Sequence, residues 1–587
     1  MNLARREFLG LLTALAAKAQ STGKPVNLDE HGGTKLSGVD AASQHVMAGM
    51  NAAPAPAAGP IQPVFTRSGG NLRHGTYSVE TRLTPAVVRG GLRKLFTLAM
   101  TGDKRGMEAQ PLFAPAIRAK NGQVHDLCIC STMANQVWAF DANSGRLVWK
   151  VTLGKPVNGS QQIDAWLIND HWGILSTGVI DGGFLYCVAW ISGDGTAKNG
   201  RHSLFKVQLS DGRAIASIAL PLSGVVQRKQ RAALTLTNVN GKKTVFIPWG
   251  TIQETADGAH GFITAVDLDA FRVVTEWTAT PTGKGSGIWM AGQGLCADDE
   301  GFLYCMTGNG DFDGVKNFSE SFLKLRYDGT NISVIDWWSP WRDADRGQTG
   351  GWDDMDLGAG GTVVIPELGL VCGAGKDGIL YVLDWRRMGQ TKAGDFANPQ
   401  VNYGKLKSTA GFFTYFPGFD KSPTPNDPKS LDTLFADRTH HMHGTPLYWN
   451  NKLYCMGENG NLRAWSIDAS GAVKFLARSE EVASPFAPVP PGGMPGGMLC
   501  LSSNGMQDGV VWACVPDADA NKQIVTGRVF AFDASDFSDV LGDGDHRIKR
   551  LWMSDPHYTY NKFNVPVVNG GRLYVPTYDG GVDVYGL

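Results

Sequence analysis

QVWAFDANSGRLVW, residues Gln136 to Trp149, is the stretch on which the fold of this chain turns. It reads as a short strand, a turn at Asn143-Ser144-Gly145, and a second strand closed by Trp149. Asp141 and Ser144 are residue types whose side chains bond turn amides, and Gly145 tolerates a positive φ. Trp149 offers a large apolar face with a single N–H to satisfy. The spacing is A-x-D-x-x-x-G-x-x-x-W, from Ala139 to Trp149.

Ala139 serves as a marker for further copies. Equivalents stand at Lys206, Ala265, Lys324, Val382, Ala464, Ala531 and Val582. Neighbouring markers are 51 to 67 residues apart, except for 82 between Val382 and Ala464. An apolar strand precedes most of them, as in GGFLYCVAW, EGFLYCMTG, NKLYCMG and GRLYVPTY. Tryptophans placed for docking are Trp149, Trp277, Trp337 or Trp338, and Trp552. A unit of four short strands cannot bury both faces alone, and packing unit against unit in a ring solves this. The expected fold is therefore an all-β, eight-bladed propeller; seven blades is the alternative, because Lys206 is a weak marker. The chain stops just after the third strand of the last unit, while Lys94–Met100 has no unit of its own. That N-terminal strand is expected to close the last blade from outside and remove an open edge.

The 587 residues are 43% apolar and 19% charged, the balance of a soluble globular protein. A net charge of −1 argues against a nucleic-acid partner or an anionic membrane surface. No apolar run beyond the N-terminus reaches the roughly 18 residues of a membrane span. Residues 1–19 read as a signal peptide with Ala17-Lys18-Ala19 as the cleavage site. Arg5-Arg6 followed by Phe8-Leu9 resemble a twin-arginine signal, which implies export to the periplasm or medium. Residues 20–70, rich in Ala, Gly and Pro, are expected to be a flexible linker, and 71–587 a single domain. Cys187, Cys305 and Cys455 each follow Leu-Tyr in equivalent strands, so they are expected to be buried and unpaired. There is no C-x-x-C-H, hence no attached haem c.

The motif at 139–149 resembles the tryptophan-docking motif of pyrroloquinoline-quinone (PQQ) type propellers, and the likeness extends over roughly residues 68–587. It implies a quinoprotein-type oxidoreductase working on an alcohol or similar small molecule in the central channel, with PQQ and Ca²⁺. On that resemblance Asn309, Asp353 and Glu254 are the expected metal contacts. Lys376, Trp289 and Asn309 are the expected cofactor contacts, and Asp353 and Asp354 the expected catalytic carboxylates. Oxygen ligands suit a hard cation, and a carboxylate is suited to take an alcohol proton. The same group includes cofactor-free propellers, and this chain lacks the adjacent cysteine pair of the dehydrogenases. A periplasmic binding or scaffolding propeller with a protein partner is therefore the second expectation.

Three other stretches stand out. His440-His441-Met442-His443 carries potential copper or zinc ligands; on a strand only His441 and His443 share a face, with Glu458 the nearest further ligand. Residues 386–440 read as an excursion over one face of the ring, suited to shape a binding mouth. The glycines of VPPGGMPGGMLCLSSNG are expected to let an innermost strand approach the axis, with Met494 and Met498 lining the channel.

Overall fold

The computed structural model describes residues 58–102, 106–159, 169–221, 227–254, 256–340, 354, 356–397, 401–402, 404–411, 440–486, 492–521 and 523–587. The signal peptide, residues 20–57 of the linker, and Asp353 lie outside the described residues.

Eight antiparallel sheets follow one another along the chain as blades. The first is Leu112–Arg118, Val124–Ser131, Gln136–Asp141 and Leu147–Thr152, and each later blade repeats this plan. All eight markers fall on third strands. The Lys206 unit is a complete four-stranded sheet, which settles the count at eight. At six markers the pairing with the outer strand shifts register at once, between Ala139 and Phe140 and likewise after Lys206, Ala265, Lys324, Ala464 and Ala531. A bulge at the same place in six of the eight blades sharpens the local twist, so in those blades the sequence repeat is also a repeat of curvature. The eighth blade is composite. Val567–Asn569, Arg572–Thr577 and Gly581–Gly586 are joined by Arg93–Ala99, which pairs antiparallel with the last of them.

Trp149 shows what the motif does. Its indole is 5% exposed and donates from Nε1 to Leu209 O of the next blade at 2.7 Å. A Cβ at Gly212, in the next blade's turn, would sit 2.4 Å from that indole. Trp149→Ala is expected to cost about 3–5 kcal/mol, read as a lowered urea midpoint with unchanged slope. Only Trp552 repeats the geometry in register, opposite Ala531. Trp277 faces Ile263 and Trp337 faces Leu323, one or two positions off their markers, so these two are corrected as register equivalents. Trp338 and Trp337 instead hold the start of the 386–440 stretch, donating to Asn402 O and Thr391 O. That stretch is only in part an excursion, because Ser408–Gly411 forms the outer strand of the fifth blade; residues 412–439 lie outside the described residues.

The linker expectation is corrected at its C-terminal end. Residues 59–80 run once around the ring and bond to every blade in turn. Gly59 donates to Gly570 O, Val64 exchanges bonds with Phe113, and Phe65 O accepts from Ile180. Asn71 Nδ2 donates to Leu236 O. Asn71 O, Leu72 O and His74 O accept from Ala297, Val364 and Tyr448. Thr76–Tyr77 pairs parallel with Leu501–Ser502, and Glu80 Oε2 accepts from Gly571 N, back at the eighth blade. Composition suggested a tether here; the backbone groups of this belt are instead used up by the innermost strands.

The nine cysteines are buried and unpaired. Cys187, Cys305 and Cys455 lie on the second strands of the second, fourth and sixth blades. Among the described residues no helix is long and apolar enough to cross a membrane.

Candidate functional site

The hairpins joining second to third strands in four consecutive blades each send one polar side chain toward a common centre. They contribute Glu254, Asn309, Lys376 and Glu458 in the third to sixth blades. Lys376 and Glu458 are repeat equivalents, each four residues beyond the residue that faces the marker, Cys372 and Tyr454. Asp354 and Asp356 come from the segment leading into the fifth blade, and His441 and His443 from that leading into the sixth.

Lys376 is the hub. Its ammonium lies 2.7 Å from Asp354 Oδ1 and 2.7 Å from Asp356 Oδ2. Its side chain is 7% exposed and that of Asp356 3%, so the pair is a buried one, while Asp354 is 73% exposed. Burial opposes the charge on Lys376, but the two carboxylates outweigh it and raise its pKa. Asp356 approaches because Gly308 has no side chain; a Cβ there would stand 2.3 Å from Asp356 Oδ1.

Asn309 bridges the remaining acids. Its Nδ2 donates to Glu254 Oε2 at 3.2 Å and to Asp354 Oδ1 at 3.3 Å. Its Oδ1 is buried and has no hydrogen-bond partner among the described residues. Burial raises the pKa of Glu254 well above the ordinary value, and Asp356 and Asp354 push it further the same way. The centre thus holds more carboxylate than Lys376 neutralises.

His443 Nδ1 lies 3.2 Å from Glu458 Oε1, both residues being almost wholly buried. Glu458 Oε2 accepts from the Gly492 and Gly493 amides at 3.2 and 3.3 Å. The glycine-rich stretch before Met498–Asn504 therefore supplies donors as well as room. Burial lowers the pKa of His443 to about 3 and that of His441 to about 4, so both rings are neutral at pH 7. These histidines feel the charges of Lys376 and Asp354. In the sequence His441 and His443 stand apart from Lys376 as potential metal ligands; the structure brings them to the same centre. No group of three or more His, Cys, Asp or Glu among the described residues is arranged to hold a metal. His440 is committed elsewhere, with Nδ1 2.6 Å from Glu458 O.

Trp289 leads into the fourth blade, and its ring meets Phe563, which leads into the eighth, at 5.8 Å. Those blades face each other across a ring of eight, so the contact marks the axis. The His443 ring, 6.0 Å from Trp289 and 5.9 Å from Phe563, completes an aromatic group. A Cβ at Gly250 would lie 2.9 Å from Trp289 Cβ, so that glycine admits the indole. Arg231, ion-paired with Glu108 at 3.0 Å, stacks over Phe563. Sequence reasoning missed Arg231, Glu108 and Phe563. None stands in a motif, and only their shared position before an innermost strand would have marked them.

Glu254, Asn309, Asp354, Lys376 and Trp289 are thus placed about one axis.

No protein-family model and no curated protein matches the chain. Solved structures do. A quinohemoprotein alcohol dehydrogenase of Pseudomonas putida HK5 aligns over 89% of this chain and 80% of its own, at 15% identity and a TM-score of 0.56. The quinohemoprotein alcohol dehydrogenase of Comamonas testosteroni aligns over 90% and 80%, also at 15% identity and 0.56. A europium-containing methanol dehydrogenase aligns over 89% and 98%, at 13% identity and 0.53. At such identities the likeness speaks for the fold, which is a PQQ-like β-propeller.

Proposed function

We propose that the channel centre is the active site of an exported quinoprotein-type oxidoreductase acting on an alcohol or a similar small molecule. The observation that carries this is Asn309, whose amide nitrogen lies between two carboxylates while its buried Oδ1 has no hydrogen-bond partner among the described residues. The amide nitrogen now stands where a cation would, bonded to Glu254 and Asp354. Turning the amide over presents Oδ1 alongside those carboxylates, and three oxygen donors in surplus negative charge suit a hard divalent cation such as Ca²⁺. Trp289 offers an aromatic floor, and Arg231 and Lys376 are cations suited to a carboxylated quinone. PQQ would supply the two-electron acceptor, and Ca²⁺ the Lewis acid beside it.

The chain's own groups have separate tasks. Lys376 holds Asp354 ionised and is ion-paired with Asp356. Asp354, open to solvent, is the carboxylate positioned to take a substrate proton. His443, neutral at pH 7, and Glu458, whose pKa burial raises, wall the centre. The Arg5-Arg6 signal supports export to the periplasm by the twin-arginine route.

Titration with PQQ and CaCl₂ is expected to raise the melting temperature and to give dye reduction with primary alcohols. Saturation at a hundredfold excess over Kd corresponds to about 2.7 kcal/mol. Asn309→Ala is expected to weaken the Ca²⁺ dependence about tenfold or more, since one such interaction lost is worth about 1.4 kcal/mol or more. A melting shift without turnover would point to a binding propeller, the reading that the missing adjacent cysteines favour. Neither shift nor turnover would remove the oxidoreductase assignment.

A further inference from the structure

The belt carries two arginines into the ring. Arg67 donates from Nη2 to Ala291 O at 3.2 Å and to Phe563 O at 2.8 Å, and from Nε to Gln293 Oε1 at 3.3 Å. Ala291 leads into the fourth blade and Phe563 into the eighth, so the guanidinium bridges opposite sides of the ring and lies on its axis. Arg73 donates to Leu295 O, Thr66 Oγ1, Arg67 O, Leu234 O and Thr235 Oγ1. The two residues are 2% and 0% exposed.

Every one of these acceptors is neutral. Among the described residues neither arginine has a carboxylate at ion-pair distance, and Glu108, which Arg67 feels electrostatically, is spent on Arg231 at 3.0 Å. Burial, and for Arg67 also the neighbouring Arg73, lowers the pKa values to about 9 and about 10. Both side chains remain charged at pH 7. Two buried cations without a counter-ion are costly, because hydrogen bonds to neutral oxygens replace only part of the lost hydration.

Beside them is a cavity of about 10 Å³, walled by Arg67, Ser68, Arg73, Gln293, His443 and Thr445. It is the size of one water or one monatomic ion. Among the described residues Arg67 donates hydrogen bonds from Nε and Nη2, and its side chain lines the cavity. Ser68 and Arg73 also line a neighbouring cleft of about 660 Å³ on the belt side.

We propose that this axial cavity is a binding site for a small monoanion of halide size, chloride being the simplest, held between the belt and the channel. It neutralises part of the Arg67–Arg73 charge and fastens residues 59–80 to the ring. The cavity shares His443 as a wall with the Lys376 centre, but its positive charge comes from Arg67 and Arg73, which lie outside that centre's acids.

Bromide tests this without a variant. Crystals of the full chain soaked in NaBr are expected to show an anomalous difference peak in the cavity between Arg67, Ser68 and Thr445. In solution, replacing chloride by gluconate at constant ionic strength is expected to lower the melting temperature by about 1 °C or more. Arg67→Met should abolish that chloride dependence. Should that variant fail to fold, Thr445→Val, which keeps the side-chain shape, should reduce it. Bromide peaks only elsewhere, or a melting temperature indifferent to halide, would mean that the cavity holds water and would overturn the proposal.

Discussion

Lys376→Met is expected to lower the unfolding free energy by about 3–5 kcal/mol at pH 7.5, the range found when one partner of a buried ion pair is removed. The methionine fills the space, so the loss is electrostatic. It strands Asp356, 3% exposed, and takes from Asp354 its bond at 2.7 Å. The charge of Lys376 also opposes the upward shift of Glu254, so in the variant Glu254 holds its proton more firmly still. A folded-state carboxyl pKa above the unfolded value contributes stability that is present at low pH and is lost as pH rises through the folded pKa. The deficit of Lys376→Met should therefore shrink as pH falls from 7.5 toward 5, in melts run at matched scan rates. Adding Glu254→Gln should restore part of the loss at pH 7.5, because the two sites share one network. A deficit equal at every pH would show that Lys376 contributes through packing and not through charge.

The ring was legible in the sequence because its signal is local and repeated. A marker in the third strand, a turn glycine and a docking tryptophan are all read within one hairpin, and eight copies average out the degenerate ones. The belt was not legible. Its bonds join residues more than 500 positions apart, such as Gln62 N and Asn569 Oδ1, and its composition is that of an ordinary tether. The centre fell between these cases. Asn309 and Lys376 could be found through family context, and Glu254 only loosely. The link from Lys376 to His441, His443 and Glu458 was hidden, because equivalent hairpins of adjacent blades meet only when the ring closes. The alignment of Lys376 with Glu458 was the one signal available in the repeat. Aligning second strands, as well as third-strand markers, would have revealed it. Trp277 and Trp337 show the reverse error, since correct residue types one or two positions off register do different packing work.

The steepest acid dependence is expected from His441 and His443. Burial holds them near pKa 4 and 3 in the folded protein, against about 6.5 in the unfolded chain. The nearby Lys376 adds to this for both, while Glu458 opposes it for His441 and Asp354 for both. A histidine with a depressed folded pKa contributes stability that is complete above about pH 6.5 and is lost as pH falls through the folded value. Between pH 6.5 and 4.5 each ring should remove about 2–3 kcal/mol. Glu254 and Glu458 act in the opposite sense, since their raised pKa values favour the folded state as pH falls toward the ordinary carboxyl range. The wild-type curve is the difference of these effects and does not by itself identify the source. The double variant His441→Gln, His443→Gln does, because glutamine keeps a polar side chain without titrating. Its stability relative to wild type should improve by about 3–5 kcal/mol on going from pH 7.5 to 4.5, whatever offset it shows at the higher pH. Parallel wild-type and variant curves would mean that these rings reach solvent and protonate freely, and the Glu458 wall would then have no electrostatic role.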